Sequence, residues 1–101
     1  MLNLRVMNMT SPRTNTPVAN QFSIWTNQGW FFQSYNSVIA FVPHKSSDTN
    51  IPDETKTVLD ETYWDYSKTT MKYLARFLRT DAKTIRKNVK AGLYKLTDLN
   101  D

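Results

Sequence analysis

The spacing of apolar residues changes near the middle of the chain, and this change limits the fold more than any other feature. From Gln21 to Leu59 the apolar residues alternate with polar ones or form short runs, which is typical of β-strands. After Tyr66, Met71, Leu74 and Leu78 recur at helical spacings of three and four residues. We therefore expect strands first and helices last, in an α+β fold.

Three segments of the first half have strand character. The runs 21–25 and 30–35 flank Thr26-Asn27-Gln28-Gly29 and predict a hairpin, with Gly29 in the left-handed conformation that closes a three-residue loop. Val38 to Val42 is almost wholly apolar and predicts a third strand, and a weaker fourth is indicated at Thr57 to Leu59. The sequence thus predicts a three- or four-stranded antiparallel sheet.

The segments on either side of these strands are polar and rich in turn-forming residues. Residues 1–20 are expected to be a flexible N-terminal segment, followed by a single α+β domain over residues 21–101. Pro43 is expected to end the third strand, and residues 44–55 to form a mobile loop.

The second half predicts two helices, Ser67 to Arg79 and Asp81 to Ala91. Ser67 is a good N-cap, Thr80 caps the second helix with Asp81 near its positive dipole end, and Gly92 ends it. Because the apolar and basic residues keep their register through Thr80, one continuous helix is the alternative.

Positive charge is concentrated in this helical half. Nine of the 13 basic residues lie between Lys68 and Lys95 with a single acid, Asp81, although the net charge of the chain is +4. Seven of them recur at helical spacing: Lys68, Lys72, Arg76, Arg79, Lys83, Arg86 and Lys90. Such a stripe is either a solvated helix face or a contact surface for an anionic partner.

Composition argues against several classes of protein. The chain has no cysteine, one histidine (His44) and two glycines, so we expect no disulfide, no metal site, no phosphate-cradling glycine loop, no cofactor and no catalytic residues. We therefore expect a protein that is not an enzyme. No apolar run approaches the length of about 20 residues that spans a bilayer, so no membrane partner is expected.

The aromatic residues have a structural and a functional interpretation. Tyr63-Trp64-Asp65-Tyr66 either closes the core where helix meets sheet or offers a stacking platform for single-stranded bases. Trp25, Trp30 and Phe31 cannot all face one core, because successive strand residues point to opposite faces. At least one aromatic is therefore expected on the other face, where it would suit a homodimer.

A helix-turn-helix resemblance covers about a fifth of the chain. Ala75-Arg76-Phe77-Leu78 is followed by Arg79-Thr80-Asp81, then by Thr84-Ile85-Arg86-Lys87 and Gly92, which resembles the helix-turn-helix of excisionase-like and small repressor-type proteins. The resemblance implies that Ile85 and Val89 are buried. It implies that the second helix enters the major groove with these residues facing DNA: Lys83, Thr84, Arg86, Lys87 and Lys90. The sequence departs from this pattern at two positions. Arg79 stands in place of the usual turn glycine, and Asn88 stands where an aromatic residue often lies.

A second resemblance extends from Asn20 to about Leu99. The motifs Phe32-Gln33-Ser34-Tyr35-Asn36-Ser37 and Tyr63-Trp64-Asp65-Tyr66-Ser67-x-Thr69-Thr70 resemble small uncharacterised proteins encoded by bacteriophages and plasmids of Gram-positive bacteria. The resemblance implies a phage or mobile-element origin. Together with the lack of cysteine and of a membrane-spanning run, it leads us to expect a location in the host cytoplasm. It favours DNA handling, host takeover or anti-defence as the process served.

Three functions remain in order of preference. The first is an accessory protein that binds nucleic acid, duplex DNA above all, through eight residues of the basic helices: Lys72, Arg76, Arg79, Lys83, Thr84, Arg86, Lys87 and Lys90. The alternative is a non-catalytic inhibitor whose basic face occupies an acidic surface of a host protein. The third is an assembly role as a homodimer formed through the aromatic sheet face.

Overall fold

The computed structural model describes residues 4–11 and 13–100, which form a β-sheet followed by two C-terminal helices. The strands are β1 Leu4–Thr10, β2 Pro17–Thr26, β3 Gly29–Ser34, β4 Ser37–Lys45, β5 Asp48–Pro52, β6 Val58–Asp60 and β7 Lys95–Thr97. The helices are α1 Lys68–Phe77 and α2 Ala82–Lys90, and a short 3₁₀ helix spans Glu54–Lys56. The predicted α+β class, with the sheet before the helices, is confirmed.

Within the described residues the sheet has seven strands, so the prediction of three or four is wrong in number. Their order is β1-β2-β3-β4-β6-β7, and β5 pairs with β4 outside this path. Most neighbours are antiparallel, whereas β7 is parallel to β6. The parallel pair follows from the chain order, because both helices lie between these strands and form the crossover that a parallel pair requires.

The unpredicted strands lie in segments that we expected to be irregular. The interval 1–20 contains β1 and the start of β2, so ordered structure does not begin at Gln21; residues 1–3 and 12 lie outside the described residues. β4 continues through Pro43, and residues 44–55 contain β5 rather than a loop alone. Segments without regular strand alternation form strands here because a partner strand satisfies the backbone hydrogen bonds whatever the side chains are.

The core lies between the helices and one face of the sheet. Phe32 and Leu59 are fully buried on that face, and they cluster with Leu74 of α1 and Ile85 of α2. Because side chains alternate along a strand, Phe31 next to Phe32 points to the opposite face. Neither helix in the described part of the chain has both the length and the hydropathy needed to cross a bilayer.

The hairpin between β2 and β3 needs Gly29 for lack of a side chain, not for a left-handed backbone. A Cβ on Gly29 would lie 2.5 Å from the carbonyl oxygen of Val42 and 2.7 Å from the Cα of Pro43. Among the glycines of the described residues, positive φ is found at Gly92. The predicted hairpin is present, but the left-handed conformation predicted for Gly29 is wrong. Glycine is needed there because β4 passes too close for a side chain.

Candidate nucleic-acid interface

Helix α1 turns a basic face to solvent because its other face is built into the core. The hydroxyl of Ser67 caps it by accepting the backbone amide of Thr70 at 3.1 Å. Met71 and Leu74 are buried on the inner face. Three exposed cations spaced four residues apart lie on the outer face: Lys68, Lys72 and Arg76.

Helix α2 is oriented by Ile85, which is fully buried, and by Val89, which packs against the core. Its N-cap is Asp81, not the predicted Thr80, and the carboxylate accepts the amide of Thr84 at 2.7 Å. That hydrogen bond holds the pKa of Asp81 below its ordinary value. Thr84 is half-buried. The exposed cations of this helix are Lys83, Arg86, Lys87 and Lys90.

A left-handed residue separates the two helices, so the alternative of one continuous helix is wrong. Arg79 has φ 57°, and its amide donates to the carbonyl of Arg76 at 3.2 Å. The next amide, of Thr80, donates to Ala75 at 2.9 Å. This pair of bonds is a Schellman cap, in which glycine is the usual left-handed residue. Arg79 therefore stands where both the cap and the helix-turn-helix pattern favour glycine.

The turn divides the predicted basic stripe into two groups. Arg76 donates a hydrogen bond to the Thr10 hydroxyl of β1 at 3.2 Å, so the first group reaches toward the sheet. On α2, Arg86 forms an ion pair with Asp65 at 3.1 Å, in the turn that precedes α1. Among the described residues, Arg86 is the helix cation with a carboxylate partner within 4 Å. The other α2 cations thus remain available to a partner.

The aromatic motif before α1 is divided between core and surface. Tyr63 and Trp64 pack against the core, as its structural interpretation predicted. Tyr66 is 71% exposed, and its ring lies edge-on to that of Tyr63 at 5.6 Å between centroids.

A cleft of about 530 Å³ opens between the helix-facing side of the sheet and the end of α1. Its walls are largely apolar and aromatic and include Met7, Met9, Trp30, Phe77 and Tyr94. Two cations, Arg76 and Arg79, also line it, together with one acid, Glu54. The structure thus brings two of the predicted contact residues to a concave site, Arg76 from the end of α1 and Arg79 from the turn that follows it.

Sequence reasoning missed this cleft because β1, β3, α1 and the segment before β7 each supply part of its wall. Trp30 was predicted only as a sheet aromatic, and Tyr94 lies beyond the two predicted helices. The one available signal was Arg79 in the place of the turn glycine, since a residue that departs from local preference indicates a tertiary role.

The other side of the sheet carries an apolar row that neither described helix covers. The row follows the pairing register across five strands: Val6, Ile24, Phe31, Phe41 and Val58. Val6 is 57% exposed, and the rings of Phe31 and Phe41 are 4.5 Å apart. Phe31 is thus the aromatic residue that strand alternation predicted for the face opposite the core.

Trp25 lies on the helix side of the sheet, with its ring 5.5 Å from that of His44.

Neither the curated proteins nor the solved structures contain a match to this chain. Residues 4–92 match the model of a family of unknown function, DUF8033. The matched range holds β1 to β6, both helices and the left-handed residues that end them. The chain therefore belongs to the DUF8033 family.

Proposed function

We propose that this protein is a phage or mobile-element accessory protein that binds duplex DNA through its basic C-terminal helices, without catalysis. The observation that carries the proposal is α2, where a capped helix held by the buried Ile85 turns four exposed cations away from the core. Lysine and arginine in such an array pair with phosphates and release condensed counterions.

The dimensions of α2 suit a groove. Its nine residues extend about 14 Å. The major groove is about 12 Å wide and admits an α-helix. In this proposal the α2 residues Lys83, Thr84, Arg86, Lys87 and Lys90 contact the duplex. Lys72 and Arg76 of α1, and Arg79 in the turn that follows it, add phosphate contacts.

The test is a charge reversal that avoids the ion pair. Reversing Arg86 would place two carboxylates together, since Arg86 contacts Asp65. Lys87→Glu with Lys90→Glu changes two exposed lysines instead. We expect duplex affinity to fall at least tenfold. We also expect the slope of log affinity against log salt to drop by about 2 in magnitude, as two phosphate contacts are lost.

The matched control is Arg13→Glu with Lys45→Glu, which makes the same change of net charge at exposed sites outside the helices. The control is expected to retain most of the affinity. An equal loss in both variants would contradict an interface on α2. An intact chain that binds no duplex at low salt would overturn the proposal and leave the inhibitor of a host protein as the alternative.

We also propose, on a separate observation, that two copies associate through the apolar row of the sheet. Five strands about 4.8 Å apart and about six residues long give a flat area on the order of 500 Å² per copy. Two copies would bury about 1,000 Å² in all, the lower bound for a specific interface. The five residues of the row are uncharged, and Lys95, paired with Val58 on β7, lies at one end of it, so the centre of two facing rows holds no like charges.

A further inference from the structure

We propose that the cleft at the end of α1 binds a nucleoside phosphate, with the base between the apolar walls and the phosphate on Arg76 and Arg79. The inference rests on the proposed function for its choice of a nucleic-acid ligand. It assigns to these two arginines a contact with one extruded or single-stranded nucleotide, in addition to the duplex phosphate contacts proposed above.

The size and lining of the cleft suit a nucleobase. Its volume of about 530 Å³ lies within the range of about 300–1,000 Å³ typical of small-molecule sites. Trp30 and Tyr94 bring aromatic rings to the walls, and aromatic side chains stack on bases of any sequence. Met7 and Met9 add polarisable, adaptable surface.

The charge of the cleft suits a phosphate. Two arginines and one glutamate, Glu54, leave the lining with a net positive charge. Arg76 donates one hydrogen bond to Thr10 at 3.2 Å, which holds its guanidinium in place and leaves most of its five donors for a ligand. The guanidinium fork binds phosphate oxygens through two parallel hydrogen bonds.

The backbone of Arg79 adds a second observation: among the described non-glycine residues with positive φ, which are Asn15, Asn20, Tyr35 and Arg79, Arg79 is the one that lines this cleft. Its φ of 57° is unfavourable for a residue with a side chain, and glycine would relieve it. A strained residue that persists where glycine is preferred indicates that its side chain has a use. Arg79 is exposed and lines the cleft, so we assign that use to the cleft.

Polar groups within the walls favour a base over a fatty acyl chain. Ser23, Thr57 and Asn8 line the same cleft. The Ser23 hydroxyl can bond the edge of a base, which an acyl chain cannot do. Thr57 and Asn8 already donate within the protein, to the carbonyl oxygens of Glu54 at 2.8 Å and Val18 at 3.2 Å.

The decisive variant is Arg79→Gly, because it should improve the fold while it removes the function. We expect its midpoint of thermal unfolding to rise by about 4 °C, since the left-handed position becomes unstrained. We expect its affinity for thymidine 5′-monophosphate, measured by titration calorimetry, to fall at least tenfold. Lys68→Ala is the control, because it removes one exposed positive charge from α1 outside the cleft and should leave that affinity unchanged.

Two further measurements separate the base from the phosphate. Thymidine and inorganic phosphate, each tested alone, are expected to bind the intact chain more weakly than the complete nucleotide. Trp30→Leu is expected to weaken the nucleotide and to leave inorganic phosphate unchanged. The assignment fails if Arg79→Gly binds the nucleotide as well as the intact chain does, or if decanoate displaces the nucleotide and binds more tightly.

A labelled oligothymidylate and a labelled duplex separate this inference from the proposed function. Lys87→Glu with Lys90→Glu should lose the duplex and keep the nucleotide, and Arg79→Gly should lose the oligothymidylate with a smaller effect on the duplex. An intact chain that binds duplex but neither nucleotide nor oligothymidylate overturns the cleft assignment alone. One that binds both of these but no duplex overturns the proposed function alone.

Discussion

Arg79 and Gly92 occupy the same position at the ends of the two helices, and they differ in a way that local physics alone does not explain. Both are left-handed, with φ 57° and 77°. Both follow a helix whose last carbonyls are bonded in the Schellman pattern. Gly92 is the residue that this conformation favours, whereas Arg79 is not. The difference favours a role for Arg79 in the cleft that it lines.

Asp60 also makes contacts with residues that are distant in the sequence. It is 1% exposed, and its carboxylate accepts backbone amides from Tyr63 at 2.8 Å, Thr62 at 3.0 Å and Leu99 at 2.8 Å. Burial raises the pKa of Asp60, but these bonds and one from Asn100 outweigh it, so the pKa lies below its ordinary value. One carboxylate thus ties the turn before α1 to the C-terminal tail.

Replacing Asp60 by Asn should therefore destabilise the protein. An amide cannot accept all three bonds, and we expect the free energy of unfolding in urea to fall by about 2 kcal/mol at neutral pH. Glu61→Gln is the control, since Glu61 is an exposed neighbour, and its unfolding should be unchanged within about 0.5 kcal/mol.

The pH dependence tests the same carboxylate. Because the folded pKa of Asp60 is lowered, its contribution is present above the pKa of an unfolded aspartate, about 3.9. It is lost as the pH falls through the folded value. The gap in unfolding free energy between the intact chain and Asp60→Asn should shrink in acid. A gap that stayed constant down to the folded pKa would contradict this account.

At the scale of elements, the helices follow from their own sequences and most strands do not. Ser67 and Asp81 cap α1 and α2 with side chains that reach amides three residues away. Both interactions are local, so the helix limits were predictable to within about two residues. β1 and β5 lack a strong strand pattern and exist because β2 and β4 offer them partners.

The cap of α2 is expected to stabilise that helix selectively. Asp81→Ala removes the acceptor of the Thr84 amide and should cost about 1 kcal/mol. Amide hydrogen exchange should quicken in the first turn of α2 while the amides of α1 keep their protection. Ser67→Ala gives the reciprocal test on α1. Equal quickening of both helices by either change would show that the caps act on the whole fold instead.

At the scale of the whole molecule, the helices and the apolar row lie on opposite sides of one sheet. Association through the row would give four layers, with two sheets stacked inside and the helices outside. The α2 helices of the two copies would then face away from each other. Such a dimer could hold two duplex segments at once.

Val6→Glu tests this association with little risk to the fold, because Val6 is 57% exposed. A dimer of the intact chain in sedimentation equilibrium should dissociate when a carboxylate enters both rows. Leu93→Glu makes a similar change at a residue 63% exposed outside the row and should leave the dimer intact. Trp25 would be a poor probe, since it lies on the helix side. A monomeric intact chain at micromolar concentrations would rule the dimer out.

The sequence by itself determined what depends on neighbours within about four residues. The change of period after Tyr66, the break between the helices and the burial of Ile85 and Val89 follow from helical spacing and capping, so they were predictable. Six of the eight predicted contact residues follow from the same spacing, and Thr84 and Lys87 follow from the helix-turn-helix resemblance. Whether each contacts a partner stays a prediction.

The tertiary structure decided what depends on residues far apart in the chain. It added the strands at Leu4–Thr10 and Asp48–Pro52, and it placed β7 beside β6. It also brought Arg79 to a cleft whose other walls lie tens of residues away, among them Met7 and Tyr94. Strand pairing and cleft formation join distant segments whose matching is not encoded in any local period, and only the folded chain reveals them.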